Sequence, residues 1–347
     1  MKALITGCLG QDGSYLAEHL LSLGYEVWGT VRRIRPGITP TLFDADDSGN
    51  WVAGVDYYYA DMTDIVSVDK VIRKCWPDEI YNLAGQVFVP TSWNYPAETF
   101  DVNTGGLARI MKVLEETKCK AKVYQASTSE MFGNQLTYLM EKGIVSLNEK
   151  SIMHPVSPYG VSKLAAHKLV DVYRQKGMYI VSGILGNHES PRRGEEMVTR
   201  KITKHVAKWR RETSGAFGIG CATLKLGNLQ SKRDWGFAGD YVKAMHLMLQ
   251  QEQPDDYVIG TGEAHSVQEF LEAALEAAQL DLFSWPEHVE IDPAFSRSEE
   301  LHTLVLDASK AKRILGWKSE TTFKQLVTMM VNSDVYSLPE GAQCIAR

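Results

Sequence analysis

The chain has 347 residues, enough to bury a large core and to form two lobes. Its hydrophobic share of 44% and charged share of 23% are those of a soluble globule, and a formal net charge of −6 gives no general attraction to nucleic acid. No apolar run approaches the roughly 20 residues of a membrane span; five cysteines without a Cys-x-x-Cys pair and nine histidines without His-Glu-x-x-His spacing indicate no disulfide framework and no metal, so a cytoplasmic, metal-free protein is expected.

In chain order, residues 2–6 read as a short apolar strand, followed by Gly7-Cys-Leu-Gly10-Gln-Asp-Gly13 and a helical pattern over residues 14–23 that Gly24 ends. Glycines at this spacing permit a tight turn and close backbone approach. The helix N-terminus then offers unpaired N–H groups to a pyrophosphate, so a dinucleotide site is expected here. The second strand, residues 26–31, ends in Arg32-Arg33, where a site for NAD usually carries a carboxylate for the ribose 2′-hydroxyl. Guanidinium groups at that position match a 2′-phosphate and favour NADP. Residues 55–59 read as a third strand with Asp61-Met62 at its end, where a carboxylate can accept from an adenine amino group. Residues 67–74 read as a crossover helix. Residues 79–83 read as a fourth strand leading into Asn82-Leu-Ala-Gly-Gln86, whose small residues leave room for a ribose and nicotinamide. Residues 96–117 read as one long helix with Leu107, Ile110, Met111 and Leu114 at core spacing, and residues 121–126 as a buried fifth strand.

Residues 133–155 are loop-rich and precede a helical pattern over 158–176; the next strand, 178–185, delivers Asn187-His-Glu-Ser-Pro-Arg-Arg-Gly194. Beyond it, helices at 199–213, 237–250, 266–279, 309–315 and 323–333 interleave with strands at 222–226, 257–260 and 289–292. This alternation predicts an α/β fold: a doubly wound parallel (Rossmann) sheet with a smaller C-terminal substrate-binding lobe. The expected division is an NADP-binding domain over 1–186, to which 221–262 partly returns, a lobe over 187–335 mainly for substrate, and a mobile tail over 336–347.

The chemistry concentrates in two stretches. Gln125-Ala-Ser-Thr-Ser-Glu130 emerges at the carboxyl end of the fifth strand, where open α/β sheets bind ligands. Tyr159 and Lys163 are one turn apart on a helix and share a face. A free phenol has a pKa of ~10, and a nearby ammonium favours the phenolate, so the pair is expected to act as a base near neutral pH. Together these groups can oxidise a carbinol and remove a neighbouring proton. Tyr-x-x-x-Lys by itself is common in amphipathic helices; the glycine loop at the other end of the chain gives it weight.

With the glycine loop, Asn82-Leu-Ala-Gly-Gln86 and Tyr159-x-x-x-Lys163 in order, the chain resembles the extended short-chain dehydrogenase/reductase superfamily. Three stretches narrow the match: Asn187 to Gly194, Leu226-Gly-Asn-Leu-Gln-Ser-Lys-Arg-Asp-Trp-Gly236 and Gln250-Gln-Glu-Gln-Pro-Asp-Asp-Tyr-Val-Ile259 are similar to the GDP-mannose 4,6-dehydratase family, a similarity running from residue 2 to about 335. The resemblance implies a catalytic set of Thr128, Glu130, Tyr159 and Lys163. It implies cofactor contacts at Gly7, Cys8, Leu9, Gly10, Gln11, Asp12, Arg32, Asp61, Met62, Leu83, Ala84, Gly85, Gln86, Lys163, His188 and Arg193. Nucleotide-sugar contacts fall on Asn187, Lys201, Arg233, Arg297 and Glu300. The implied cofactor is NADP, the substrate a GDP-sugar, and the assembly a homo-oligomer, dimer or tetramer, with residues 33–40 near a neighbouring subunit's cofactor.

Glu130 carries the distinction among related reactions. An epimerase needs only hydride transfer and sugar rotation, whereas a dehydratase must remove the C5 proton and protonate the departing C6 hydroxyl. One carboxyl group can do both if partial burial raises its pKa. Three departures from the family pattern leave the hexose open: Val87-Phe88 where many members have a serine, Ala294 in place of an arginine, and a longer span over 133–155. A related sugar such as a GDP-heptose, a 4-epimerase or 4-ketoreductase on the same fold, and a non-catalytic NADP-binding scaffold are the alternatives.

Overall fold

The computed structural model describes residues 1–32, 50–135, 146–213, 223–281, 285–293 and 303–336. Its first half alternates strands and helices: β1 (Lys2–Thr6), α1 (Gln11–Ser22), β2 (Glu26–Val31), β3 (Val55–Tyr59), α2 (Ile65–Cys75), β4 (Glu79–Asn82), α3 (Val89–Asn94), α4 (Pro96–Phe100), α5 (Gly106–Thr117), β5 (Lys122–Thr128), α6 (Pro158–Gln175) and β6 (Ile180–Leu185). The second half runs β7 (Asn187–Glu189), α7 (Val198–Thr213), β8 (Leu224–Leu226), β9 (Lys232–Arg233), β10 (Trp235–Phe237), α8 (Ala238–Leu249), β11 (Asp256–Ile259), β12 (His265–Ser266), α9 (Val267–Ala277), β13 (Val289–Ile291), α10 (Ser309–Leu315) and α11 (Phe323–Tyr336).

The main sheet has the order β11-β6-β5-β4-β1-β2-β3, every pair parallel. Parallel strands need crossover connections, and a sheet built this way is buried on both faces. Leu16 and Leu20 of α1 and Tyr241 and Met245 of α8 are buried on one face. Val68 and Ile72 of α2, Leu107 and Met111 of α5 and Val170 of α6 are buried on the other. A separate core joins α7, α9 and α11 through Val206, Trp209, Phe270, Leu326 and Met330. Strand order reverses between β1 and β4, which opens a crevice at their carboxyl ends. Across that edge Thr6 donates to Asn82 Oδ1 at 2.8 Å and Asn82 donates to Gln125 Oε1 at 2.7 Å, a buried polar row under the crevice.

Local signals explain most element ends. Asp64 caps α2 by accepting from the N–H groups of Val66 and Ser67, and Trp76 closes the helix in the left-handed region at φ 48°. Ser266 and Glu269 form a reciprocal capping box at α9. Helix α1 begins at Gln11 rather than at residue 14, because Gly10 is itself the N-cap. The single helix expected over 96–117 is broken by a π-helical turn at Asp101–Gly105. There Asn103 turns inward, accepting from Gln86 N at 2.9 Å and donating to Gln86 O at 3.0 Å and Ser162 Oγ at 2.9 Å. Strand β7, pairing with β10, and the short helix α3 were not expected from the sequence pattern. The tail over 337–347 and the insert over 136–145 lie outside the described residues. Among the described residues no helix is long and apolar enough to cross a membrane.

Asp234, 1% exposed, ties the second half together. Its carboxylate accepts from Thr261 N at 2.8 Å, Thr261 Oγ1 at 2.7 Å, Gly262 N at 2.9 Å and Leu306 N at 3.2 Å. Asp234→Ala removes the shared acceptor of these donors, of which the Leu306 N–H is buried and those of Thr261 and Gly262 are partly exposed, and should lower the unfolding free energy by about 2 kcal/mol in urea titration. A loss below about 0.5 kcal/mol, the range of an ordinary surface change, would contradict this role.

Candidate active site

The turn between β1 and α1 is built for close backbone approach. Gly7 sits at φ +68°, and a Cβ there would lie 3.0 Å from the Ala84 backbone. A Cβ at Gly13 would lie 2.5 Å from the Gly7 carbonyl oxygen. Gly10 caps α1 without any side-chain hydrogen bond, so the first turn presents bare N–H groups. The buried Cys8 thiol is pushed up to about 12 by burial and stays protonated, and the Leu9 carbonyl accepts from the Asn50 side chain at 3.2 Å.

Gln11 and Asp12 tie this turn to β7. Gln11 Nε2 donates to the His188 carbonyl at 3.1 Å, and Asp12 Oδ2 lies 2.8 Å from His188 Nε2. Burial works against charge on both partners. The attraction between them outweighs it, with Asp12 held below the usual carboxylate range and His188 raised above the usual imidazole range.

Arg32 stands exposed at the end of β2, and Asp61 follows the neighbouring β3. Asp61 is held below the usual carboxylate range by the Thr63 backbone N–H, with burial opposing and the Thr63 hydroxyl and the Arg32 charge assisting. Met62 is buried, and its carbonyl accepts from Arg109 at 3.0 Å. After β4, the Leu83 and Ala84 N–H groups both donate to Thr6 Oγ1 at 3.0 Å. A Cβ at Gly85 would lie 2.9 Å from Asn103 Oδ1 and 3.5 Å from Lys163 Nζ, so this backbone lies against the lysine. Among the described residues, the buried Gln86 Oε1 finds no hydrogen-bond partner. Bare helix N–H groups, a cradle that side chains would fill and an orphaned acceptor fit a dinucleotide laid across the crevice.

The four residues expected to carry the chemistry meet at the end of β5. Thr128 caps the short 3₁₀ turn Ser129–Phe132, accepting from Glu130 N at 3.2 Å. Glu130 is 9% exposed, Tyr159 7% and Lys163 3%. Ser157 caps α6 by accepting from Gly160 N, with Pro158 in the first turn.

Burial acts on both members of the expected Tyr159–Lys163 pair. Burial pushes the Tyr159 phenol up to about 12; the Thr128 hydroxyl and Arg193 pull it down, while Glu130 and Asp12 push it up. Burial pulls Lys163 down to about 8, against the Asp12 charge, and its Nζ donates to the Ala126 carbonyl at 3.0 Å. Desolvation thus works against charge on both groups.

A cavity of about 530 Å³ opens beside this set, with Glu130, Asn187, Arg193, Lys201 and Arg233 in its lining. Asn187, Lys201 and Arg233, from separate elements, therefore converge on one space, whereas Arg297, Glu300 and Ala294 lie outside the described residues. Phe88 and Trp93 form an apolar part of the wall. Three further residues were not singled out from the sequence: Asn103, which locks Gln86 to α6; Lys225, another cation of the wall; and Glu189, buried in it. Glu189 shares a face with Asn187 because the two are alternate residues of β7, a strand that the sequence pattern does not reveal. Among the described residues no group of three or more His, Cys, Asp or Glu could hold a metal ion.

The glycine turn, the switch-point crevice and the tyrosine–lysine helix define a Rossmann-fold short-chain dehydrogenase/reductase. The UDP-glucose 4-epimerase of Thermus thermophilus, solved as a complex with NAD, matches with a TM-score of 0.80 and 26% identity, over 97% of this chain and 100% of that one. The family model GDP-mannose 4,6 dehydratase matches residues 4–330. GDP-mannose 4,6 dehydratase 2 of Arabidopsis thaliana is 45% identical over 341 residues, covering 96% of this chain and 86% of that protein. The Homo sapiens GDP-mannose 4,6 dehydratase is 40% identical over 356 residues, covering 96% and 91% respectively. The chain belongs to the GDP-mannose 4,6-dehydratase family and is an enzyme of that type.

The Asp12–His188 pair sets a pH window for stability. His188 is raised from its ordinary 6.5, so its contribution is full below that value and is lost as pH rises through the folded pKa. Asp12 is lowered from its ordinary 3.8, so its contribution is present above that value and is lost as pH falls through the folded pKa. Asp12→Asn should therefore lower the melting temperature most near roughly pH 6, and the deficit should shrink toward roughly pH 9. A deficit constant across that range would contradict the pairing.

Proposed function

We propose that this enzyme converts GDP-mannose to GDP-4-keto-6-deoxymannose, with NADP as its cofactor. The observation that carries the reading is the meeting of Thr128, Glu130, Tyr159 and Lys163 beside a cavity whose wall holds Asn187, Lys201 and Arg233. In this reading the cations receive the diphosphate, for which guanidinium and ammonium groups are suited donors. Gly7 to Asp12, Asp61, Met62, Leu83 to Gln86, Lys163, His188 and Arg193 hold the dinucleotide, and Arg32 meets its 2′-phosphate. Residues 1–186 then serve mainly the cofactor and 187–335 mainly the sugar nucleotide. A dimer or tetramer is part of the same proposal.

NADP, when bound, supplies the hydride acceptor for C4 and the hydride donor for C6. The protein's own groups handle the protons. In the loaded site Tyr159 acts as a phenolate, its own proton having passed to solvent; it takes the proton of the C4 hydroxyl while Thr128 hydrogen-bonds that oxygen, and the positive charges of Arg193 and of Lys163 in its ammonium form favour that phenolate. A ketone at C4 acidifies the C5 hydrogen, so Glu130 takes that proton and delivers one to the C6 hydroxyl, which leaves as water; the proton held by Tyr159 returns to C5 when the hydride reaches C6. Burial keeps bulk water from competing for these transfers.

Purified enzyme incubated with GDP-mannose and NADP should give a product lighter by one water in mass spectrometry, and the reaction should be slower with NAD. Glu130→Gln should bind GDP-mannose with near-normal affinity and lose turnover by about 10²- to 10⁴-fold, the usual worth of a positioned general acid–base. Full turnover by that variant would remove Glu130 from the mechanism, and a product of unchanged mass from the wild type would point to epimerisation.

A further inference from the structure

Neighbouring residues on a strand face opposite ways, and β7 uses this to separate two spaces. His188 faces the glycine turn through its contact with Asp12, 2.8 Å away. Asn187 and Glu189 face the other way and line the cavity. Glu189 is 2% exposed, so its carboxylate has been taken out of water almost completely. Two groups meet it, and both meet the same oxygen: Thr199 Oγ1 donates to Oε2 at 2.6 Å, and Arg193 Nε stands 3.2 Å from Oε2 as an ion pair without hydrogen-bond geometry. Among the described residues Oε1 accepts from no donor. A carboxylate can accept several hydrogen bonds, and an oxygen left open on a cavity wall is available to a donor that enters the cavity.

The occupant must donate, and it must reach the wall of the sugar cavity. Glu189 belongs to the reacting end of that cavity, because its partner Arg193 lies close enough to Tyr159 to draw on the phenol's charge. Of the hexose hydroxyls, that at C4 is engaged by Tyr159 and Thr128 and that at C6 departs. We propose that Glu189 Oε1 accepts a hydrogen bond from the hydroxyl at C2 or C3 of the hexose, making Glu189 a specificity-determining residue of the sugar site. This rests on the GDP-hexose reading above. A site that matches a hydroxyl with a buried acceptor discriminates strongly against the analogue lacking it, since the acceptor is then left bare.

The test compares GDP-mannose with its 2-deoxy and 3-deoxy analogues, on the wild type and on Glu189→Ala, with inhibition by GDP as a control that lacks the hexose. The wild type should process one deoxy analogue with kcat/KM lowered by roughly tenfold or more. In Glu189→Ala that penalty should vanish, GDP-mannose and the same analogue reacting at similar efficiency, while the inhibition constant of GDP changes by less than about twofold. A role confined to supporting Arg193 and Thr199 would weaken both sugars alike and leave the penalty in place, which would overturn the proposal. Equal efficiency with all three sugars on the wild type would overturn it without recourse to any variant. Failure of the parent reading is distinguishable, because the wild type would then release no water from GDP-mannose at all, and both readings would fall together.

Discussion

The close approach of helix α6 to the turn that follows β5 is the constraint on which this site depends. At Gly160 a Cβ would lie 3.0 Å from the Glu130 carbonyl oxygen and 2.8 Å from the Pro155 side chain. Only a residue without a side chain lets the two backbones come this near. The consequence is chemical: Tyr159 and Lys163, one helical turn apart, are delivered against Thr128 and Glu130 with little room for solvent. Desolvation then sets the proton affinities, raising the phenol to about 12 and lowering the ammonium to about 8.

A second constraint keeps the two ligand spaces distinct. The extended backbone of β7 is a thin partition, with His188 on the glycine-turn side and Asn187 and Glu189 on the cavity side. Its register against β10, where Asn187 pairs with Trp235 and Glu189 with Phe237, fixes which residues face which space. A slip of one residue would exchange the faces and put the imidazole into the cavity. Arg193 bridges the two sides, paired with Glu189 while its charge is felt by Asp12, His188 and Tyr159.

Much of this was legible in the sequence because it is local. Strands β1, β2 and β3 have the boundaries that apolar runs and their flanking turns indicate, and the glycine triplet and the one-turn spacing of Tyr159 and Lys163 are visible without a structure. What escaped is non-local. The π turn at Asp101–Gly105 leaves the apolar spacing of α5 intact and exists because Asn103 finds partners on Gln86 and Ser162, far away in the chain. Strand β7 is three residues long, below the length at which alternation can be recognised. The hydrogen bond from Lys163 to the Ala126 carbonyl escaped for the same reason, since it belongs to a packing of helix on sheet that spacing cannot reveal.

The central claim is that C4 of the hexose lends a hydrogen that comes back to the same molecule at C6 while C5 exchanges its proton through Glu130. Its most direct measurement uses GDP-mannose carrying deuterium at C4, with the product's label located by nuclear magnetic resonance. The account predicts deuterium in the C6 methyl group of a 4-keto product. Deuterium washed into water, or retained at C4 of a sugar that has kept its C6 hydroxyl, would contradict it.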